Sequence, residues 1–197
     1  MRIAVFVLLA SASLAAQQGT TKGEFRTYGG DLGSTRHRHA PLDQINAENF
    51  NSLEVARRFR TENLGSRPDY NLQTTPLMIN GVLYATAGEH RTAIALNAAT
   101  GELLWVHRLE EGRRAPLSSR RLSGRGVGYW TGGGGDERIF YVTIACQLVG
   151  LDAKTGRALK DFGVDGAVDL KKDADQELDP VNGEIAWNGE LVAYRLP

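Results

Sequence analysis

Short apolar runs separated by turn residues form the clearest hydrophobic pattern of this chain. Leu77–Ile79 and Val82–Ala85 flank Asn80-Gly81, a dipeptide that favours a two-residue hairpin turn because both turn positions need positive φ. Thr92–Leu96 and Leu103–Val106 continue as two further short apolar runs. The pattern therefore predicts four consecutive antiparallel strands, and no segment of the chain predicts a helix of more than a few turns.

One phrase of the sequence occurs twice. Leu96–Glu102 returns as Leu151–Arg157 after 55 residues, and the preceding segments Gly81–Thr86 and Arg138–Thr143 also correspond. Repetition at this period is typical of propellers and solenoids, and four short antiparallel strands make one propeller blade. We therefore predict an all-β fold, a partial β-propeller of about two to three four-stranded blades. The blade repeats extend over about 75–109 and 138–162.

Four segments around the repeats have their own patterns. Ile45–Phe50 predicts a short helical turn capped by Asn46, and the alternation of Leu53–Phe59 predicts a strand. Arg113–Gly135 is rich in glycine, serine and arginine, which predicts an insertion with a loop tip at its four final glycines. Asp169–Glu184 is dense in carboxylates.

The N-terminus has the pattern of a secretory signal peptide. Arg2 precedes the apolar run Ile3–Ala12, which is too short to span a bilayer, and small residues follow it. An uncleaved membrane anchor is the alternative. We expect a cleaved signal and a periplasmic or secreted protein. The predicted divisions are a signal peptide at 1–16, a disordered lead-in at 17–23 and the incomplete propeller at 24–197.

Charge and composition argue against a nucleic-acid partner, and the sequence shows no metal-binding motif. Lys and Arg together number 23, as do Asp and Glu, and without a basic stripe we expect no nucleic-acid partner. The four histidines show no metal-ligand spacing. The acidic run Asp173–Asp179 lacks the sixth-position glycine and the terminal glutamate of an EF-hand loop, so a solvated loop is the better interpretation.

Several motifs together resemble the N-terminal portion of one family. They are Thr27–Asp31 with Ser34–Arg36, Pro41–Asn46, Thr75–Leu77, Ala99–Trp105, Gly124–Trp130 and Leu151–Gly156. Across roughly 24–184 the chain resembles the quinoprotein alcohol and glucose dehydrogenases, which use pyrroloquinoline quinone (PQQ). The resemblance implies an eight-bladed propeller. It also implies an alcohol or sugar substrate, a cytochrome or quinone electron acceptor, and a Ca²⁺ ion expected only in the full-length parent.

The resemblance assigns cofactor-binding roles to three residues. Arg125 matches the family arginine that contacts PQQ, and a guanidinium suits the cofactor's carboxylates because it can form two parallel hydrogen bonds. Thr143 matches a cofactor-binding threonine, and Gln73 stands where the family usually has glutamate. The alternatives are a structural salt-bridged arginine for Arg125 and an ordinary strand residue for Thr143.

Other positions depart from the family pattern. Ser119 and Arg120 replace the vicinal cysteines of the alcohol-oxidising branch. Trp105 matches the tryptophan that closes a blade, whereas Arg57 stands where the preceding blade's tryptophan is expected, which predicts a weakened contact there. No residue of the chain matches the family's catalytic base or metal ligands, so we assign no catalytic residue and no metal ligand.

Two functions follow from these observations. The first is the N-terminal fragment of a periplasmic PQQ-dependent dehydrogenase that oxidises an alcohol or sugar and is inactive by itself. The alternative is a non-enzymatic propeller-repeat scaffold of the cell envelope that self-associates to complete the ring. The missing base and the glutamine at position 73 favour the alternative, and the motif series favours the first.

Overall fold

Two small sheets form the fold of the described part of the chain. A computed structural model describes residues 23–30, 44–65, 72–118 and 126–172. Each sheet is a four-stranded antiparallel meander with its strands in chain order. The first sheet comprises β1 (Leu77–Ile79), β2 (Val82–Ala87), β3 (Thr92–Asn97) and β4 (Leu103–His107). After the helix α1 (Arg114–Leu117) come β5 (Gly128–Gly133), β6 (Asp136–Val142), β7 (Gln147–Asp152) and β8 (Ala167–Asp169). The predicted all-β fold is confirmed.

The strand connections explain why these residues form sheets. Asn80 and Gly81 have φ of 51° and 77° and join β1 to β2 as the predicted hairpin turn. Phe25 extends the sheet by exchanging two backbone hydrogen bonds with Met78 of β1, at 2.8 and 2.9 Å. The open edge of β1 is thereby paired with a segment from near the N-terminus.

The turn that the sequence repeats has the same geometry in both sheets. Asn97 Oδ1 accepts the backbone N–H groups two and three residues further on, at 2.8 and 2.9 Å. Asp152 Oδ1 accepts the corresponding pair at 3.1 and 2.8 Å. Gly101 and Gly156 end these turns with φ of 76° and 68°. The repeated phrase therefore encodes a side-chain-stabilised turn.

The main core lies between the two sheets. Buried side chains from both sheets pack there. The first sheet supplies Leu77, Ile79, Tyr84, Ala93, Ala95 and Trp105, and β6, β7 and the turn after β7 supply Ile139, Tyr141, Val149, Leu151 and Ala153. Alternate positions along each strand supply these residues, as the period of a strand requires. Face-to-face packing of successive meanders is the arrangement of neighbouring propeller blades.

Trp105 and Arg57 make equivalent contacts with successive turns. Trp105 Nε1 donates to Ala153 O at 2.9 Å, and a Cβ added to Gly156 would meet the indole at 2.6 Å. Arg57 Nη1 donates to Ala98 O at 2.6 Å, and a Cβ added to Gly101 would meet Arg57 Cδ at 2.7 Å. The contact expected to be weakened at Arg57 is thus present, formed by an exposed guanidinium side chain.

Three segments differ from the sequence predictions or refine them. The second sheet begins at β5, inside the predicted glycine-rich insertion. The sequence did not predict this strand, because most β5 residues are exposed and show no apolar alternation. Leu53–Phe59 carries no strand, and no neighbouring strand pairs with it among the described residues. Asn46 Oδ1 does accept the N–H of Glu48 at 2.9 Å, and short 3-10 turns follow at Phe50–Ser52 and Glu62–Leu64.

Other predictions fall on residues outside the described ranges. These are the signal peptide at 1–16, most of the lead-in at 17–23, Arg125, and the chain from 173 onward with its acidic run. They stay predictions. Along the described part of the chain, no helix is long and apolar enough to cross a membrane.

Candidate cofactor site at one end of the two sheets

Two threonines and a glycine tie three segments together at one end of the first sheet. Thr86, near the end of β2, is only 1% exposed. Its Oγ1 accepts the N–H of Gly126 at 3.2 Å and lies 3.2 Å from Thr74 Oγ1. The N–H of Thr86 donates to Thr74 Oγ1 at 3.3 Å. We call Thr74, Thr86 and Gly126 the threonine cluster.

Glycine is required where the third segment enters this cluster. Gly126 has φ of +88°, a conformation that residues with a Cβ rarely adopt. A Cβ at this position would lie 2.6 Å from Thr75 O, which is too close for any side chain. The backbone before β5 therefore packs directly on the backbone before β1.

Two of the predicted site positions adjoin the cluster in the sequence. Gln73 directly precedes Thr74 and is exposed, and Arg125 directly precedes Gly126. Successive Cα atoms are about 3.8 Å apart, so the side chain of Gln73 begins one residue from the cluster. The side chain of Arg125 lies outside the described residues.

Thr143 belongs to the same end of the sheets. In the register of β5 with β6, Gly128 pairs with Phe140, which sets the residues before Gly128 beside the end of β6. Thr143 directly follows that end. In the first sheet Leu77 pairs with Tyr84, which sets the residues before β1 beside Thr86. Gln73 and Thr143 therefore lie at the end of the sheets where β2 and β6 end.

The hydroxyl of Thr143 is used within the protein. Thr143 is 1% exposed, and its Oγ1 donates to Glu111 Oε1 in a short hydrogen bond. The same oxygen accepts the N–H of Gln147 at 3.0 Å. The other carboxylate oxygen of Glu111 accepts the N–H of Ala145 at 3.3 Å. Since both Glu111 oxygens hold this turn, we assign Glu111 a structural role and not that of a base.

Two arginines also hold the turn at 143–146. Arg91 Nη1 donates to Thr143 O at 3.1 Å, which links the turn after β2 to the turn after β6. Arg114 donates to both oxygens of Asp169 at 2.6 and 3.0 Å and to Ala145 O at 3.1 Å. The Arg114 guanidinium lowers the pKa of Asp169 to about 2.

A histidine and a tyrosine form a further polar contact between the sheets. His107 Nδ1 lies 3.1 Å from the hydroxyl of Tyr141. Burial lowers the pKa of His107 and raises that of Tyr141, which favours the neutral form of both. This pair supports the sheet interface.

No metal centre accompanies these groups in the described ranges. Among those residues no three His, Cys, Asp or Glu side chains come together in an arrangement that could hold an ion.

Comparison with known proteins identifies the family. Residues 25–190 match the family model for the β-propeller domain of PQQ-dependent glucose, ethanol and alcohol dehydrogenases. The chain belongs to this family. The resemblance in the sequence motifs is thereby confirmed, and the two meanders are blades of a PQQ-type propeller.

Curated relatives of the PQQ family share up to about a third of their residues with this chain. The dehydrogenase subunit of the quinone alcohol dehydrogenase of Gluconobacter oxydans is 34% identical over 75% of this chain and 18% of its own length. Quinoprotein glucose dehydrogenase A of Acinetobacter calcoaceticus is 30% identical over 80% of this chain and 22% of its own length. The chain thus spans about a fifth of the length of the relatives it matches.

A solved structure from the same family supports the architecture. The quinohemoprotein alcohol dehydrogenase ADHIIG of Pseudomonas putida HK5 superposes with a TM-score of 0.59 at 28% identity. The match covers 75% of this chain and 19% of that one. The predicted partial propeller is confirmed.

Among the described residues, the exposed amide of Gln73 beside the threonine cluster offers a hydrogen-bond donor that fits a carboxylate of PQQ. Gly126 admits no Cβ, and both oxygens of the Glu111 carboxylate accept hydrogen bonds from the turn at 143–146. Sequence reasoning missed Thr86 and Glu111. Thr86 corresponds to Thr143 in the repeat, because Gly81–Thr86 aligns with Arg138–Thr143, so this correspondence was the signal that could have indicated it.

Proposed function

We propose that this chain supplies blades of a PQQ-dependent dehydrogenase and holds part of the cofactor at the end where β2 and β6 end. The observation that carries this proposal is the threonine cluster, in which Thr86 joins Thr74, the residue after Gln73, to Gly126. Membership of the PQQ family supplies the identity of the ligand.

Each proposed contact has a distinct chemical task. The Arg125 guanidinium binds a cofactor carboxylate through two parallel hydrogen bonds. Gln73 is exposed and offers an amide that donates and accepts but adds no negative charge. Thr143 acts indirectly, because its buried hydroxyl bonds to Glu111 and Gln147 and so fixes the turn at 143–146.

The reaction of the assembled enzyme is also a proposal. PQQ, when bound, would supply the two-electron oxidation of an alcohol or sugar, with a cytochrome or quinone as the electron acceptor. We assign this chain the binding and orientation of the cofactor, and neither a base nor a metal ligand. A Ca²⁺ ion belongs to the full-length parent, and the predicted signal peptide favours a periplasmic site of action.

A binding measurement tests the cofactor assignment. We expect Arg125→Ala to weaken PQQ binding to the full-length protein about tenfold to a hundredfold, because a charge-assisted hydrogen-bond pair is lost. Equilibrium dialysis against free PQQ measures the dissociation constant.

Arg113→Ala is the matched control for this experiment. Arg113 is an exposed arginine at the start of α1 and should leave PQQ affinity unchanged. Equal affinities for the Arg125 variant and the unsubstituted protein would contradict the role of Arg125. Absence of PQQ binding by the unsubstituted protein would contradict the proposed function.

A self-associating scaffold is the second candidate function. Its support is the exposed apolar surface of β4, where Leu103, Leu104 and Val106 are 42%, 47% and 44% exposed. Apolar sheet faces of this kind favour coverage by another polypeptide. A symmetric ring of copies would provide that coverage without any redox chemistry.

A further inference from the structure

We propose that Asn80 is a site of spontaneous deamidation, and that its hydrogen bond to Glu137 restrains the reaction while the two sheets are packed together. Asn80 lies in the turn between β1 and β2, and Glu137 lies on β6 of the second sheet. The inference concerns the contact between the sheets and does not depend on cofactor binding.

The Asn80-Gly81 turn has the sequence and the exposure that this modification needs. Deamidation begins when the backbone nitrogen of the following residue attacks the side-chain Cγ of asparagine. Glycine favours this attack because it has no side chain to obstruct it. Both residues are exposed, and a Cβ added to Gly81 would meet no atom within 4 Å. The turn is therefore open to the solvent water that the reaction consumes.

The reaction balances with water as the only co-reactant. A bond forms between Gly81 N and Asn80 Cγ, the bond from Cγ to Nδ2 breaks, and ammonia leaves with the proton of Gly81 N. Water then opens the resulting succinimide at either of its carbonyl groups. The product at position 80 is aspartate, or isoaspartate with one additional methylene group in the backbone.

Contacts from two other segments hold Asn80 in place. Its Nδ2 donates to Glu137 Oε1 at 2.9 Å, and its backbone N–H donates to Glu24 Oε1 at 3.0 Å. Tyr129 Oη donates to the same oxygen of Glu137 at 3.0 Å, which fixes the carboxylate. Attack requires Cγ to turn towards Gly81 N, so a hydrogen bond that holds Nδ2 on the second sheet restrains the reaction.

Deamidation replaces the attraction at this contact with repulsion. Position 80 then carries a carboxylate in place of the amide donor, next to the carboxylates of Glu137 and Glu24. Like charges this close destabilise the arrangement that holds them together. We therefore expect the modified chain to hold its two sheets together less firmly.

Peptide mapping after incubation tests the modification. The 197-residue chain is kept at mildly alkaline pH, and aspartate and isoaspartate at position 80 are quantified over time. We expect conversion to be severalfold faster in Glu137→Ala than in the unsubstituted chain. Glu137→Gln should keep the slow rate, because its amide oxygen still accepts the hydrogen bond. No conversion in Glu137→Ala overturns the modification site, and equal rates in Glu137→Ala and the unsubstituted chain overturn the restraint.

Two control variants separate this contact from general effects. Glu102→Ala removes an exposed carboxylate from the turn in which Ala98 N donates to Gly81 O, and should leave the rate unchanged. Val149 is 1% exposed on β7, and Val149→Ala weakens the core outside the contact with Asn80. If either control accelerates conversion as much as Glu137→Ala does, the restraint is overturned.

Urea denaturation of Asn80→Asp tests the consequence of the modification. We expect the substitution to lower the midpoint of unfolding. Combination with Glu137→Gln should remove most of that loss, because a glutamine amide can donate to the new carboxylate. An unchanged midpoint in Asn80→Asp, or a loss that Glu137→Gln does not reduce, overturns the expected repulsion. Neither measurement includes PQQ, so these outcomes leave the proposed function untouched.

Discussion

At the scale of single residues, two very different side chains perform one structural task. Trp105 lies on Gly156 and donates to Ala153 O, and Arg57 lies on Gly101 and donates to Ala98 O. The sequence predicted the role of the tryptophan because Trp105 matches the family residue that closes a blade. The arginine contact was harder to predict, since a guanidinium reaches a carbonyl through a flexible stem whose path the sequence does not specify.

Substitutions at Arg57 test this equivalence. We expect Arg57→Ala to lower the free energy of unfolding by about 0.5–1.5 kcal/mol, because it removes one hydrogen bond and the aliphatic cover of Gly101. Arg57→Trp should raise the stability by burying a ring in the same place. Urea denaturation of the full-length protein measures both changes.

Arg58→Ala is the control, since Arg58 is an exposed neighbour in the same segment. It should leave the denaturation midpoint within error of the unsubstituted protein. A lower midpoint for Arg57→Trp would show that the position does not accept the docking geometry of Trp105.

At the scale of elements, equivalent turns fold alike from unlike sequences. The turns at 88–91 and 143–146 each have a last residue with positive φ, 50° at Arg91 and 64° at Cys146. Each closes with a hydrogen bond from that residue to the first, at 3.2 Å. Strands with paired apolar runs and Asn-Gly turns could be predicted from sequence. The turn at 143–146 could not be predicted, because it is held by Arg91 and Arg114, which lie far away in the chain. The glycine-rich β5 could not be predicted either, because it shows no apolar alternation.

The ion pair that holds the second turn predicts a pH dependence of stability. Asp169 has a pKa of about 2 in the fold, below the ordinary value of 3.8, because of the Arg114 guanidinium. A lowered folded-state pKa adds stability above the unfolded-state value, and that stability is lost as the pH falls from about 4 to about 2. The pair is more than a third exposed, so its contribution is at most about 1 kcal/mol.

Acid denaturation with Asp169→Asn measures this contribution. The variant should be less stable at neutral pH and should lose less stability than the unsubstituted protein between pH 4 and pH 2. Asp165→Asn is the control, since Asp165 is exposed and its positive φ suits asparagine. Parallel acid curves for Asp169→Asn and the unsubstituted protein would rule out a role for the pair.

At the scale of the whole molecule, both outward faces of the pair of sheets carry apolar side chains. On β4, Val106 points away from Trp105 and is 44% exposed. On the second sheet, Val142 and Val168 are 40% and 37% exposed. The repeat and the family motifs predicted the blades themselves, but which surface each blade leaves open depends on the sheet register, which the motifs do not encode.

These two faces give different expectations for the two candidate functions in solution. Blades that belong to a larger propeller should associate without a defined number of copies when no further blade covers them, because nothing in such contacts closes a ring. We therefore expect a broad distribution of species in sedimentation velocity of the 197-residue chain. Val106→Lys should shift this distribution towards smaller species, because a charge is placed on the open face. Val164→Lys, at a 79% exposed position in the turn before β8, should leave it unchanged. A single boundary from a symmetric oligomer would instead support the scaffold, because a ring completed by identical copies has a fixed stoichiometry.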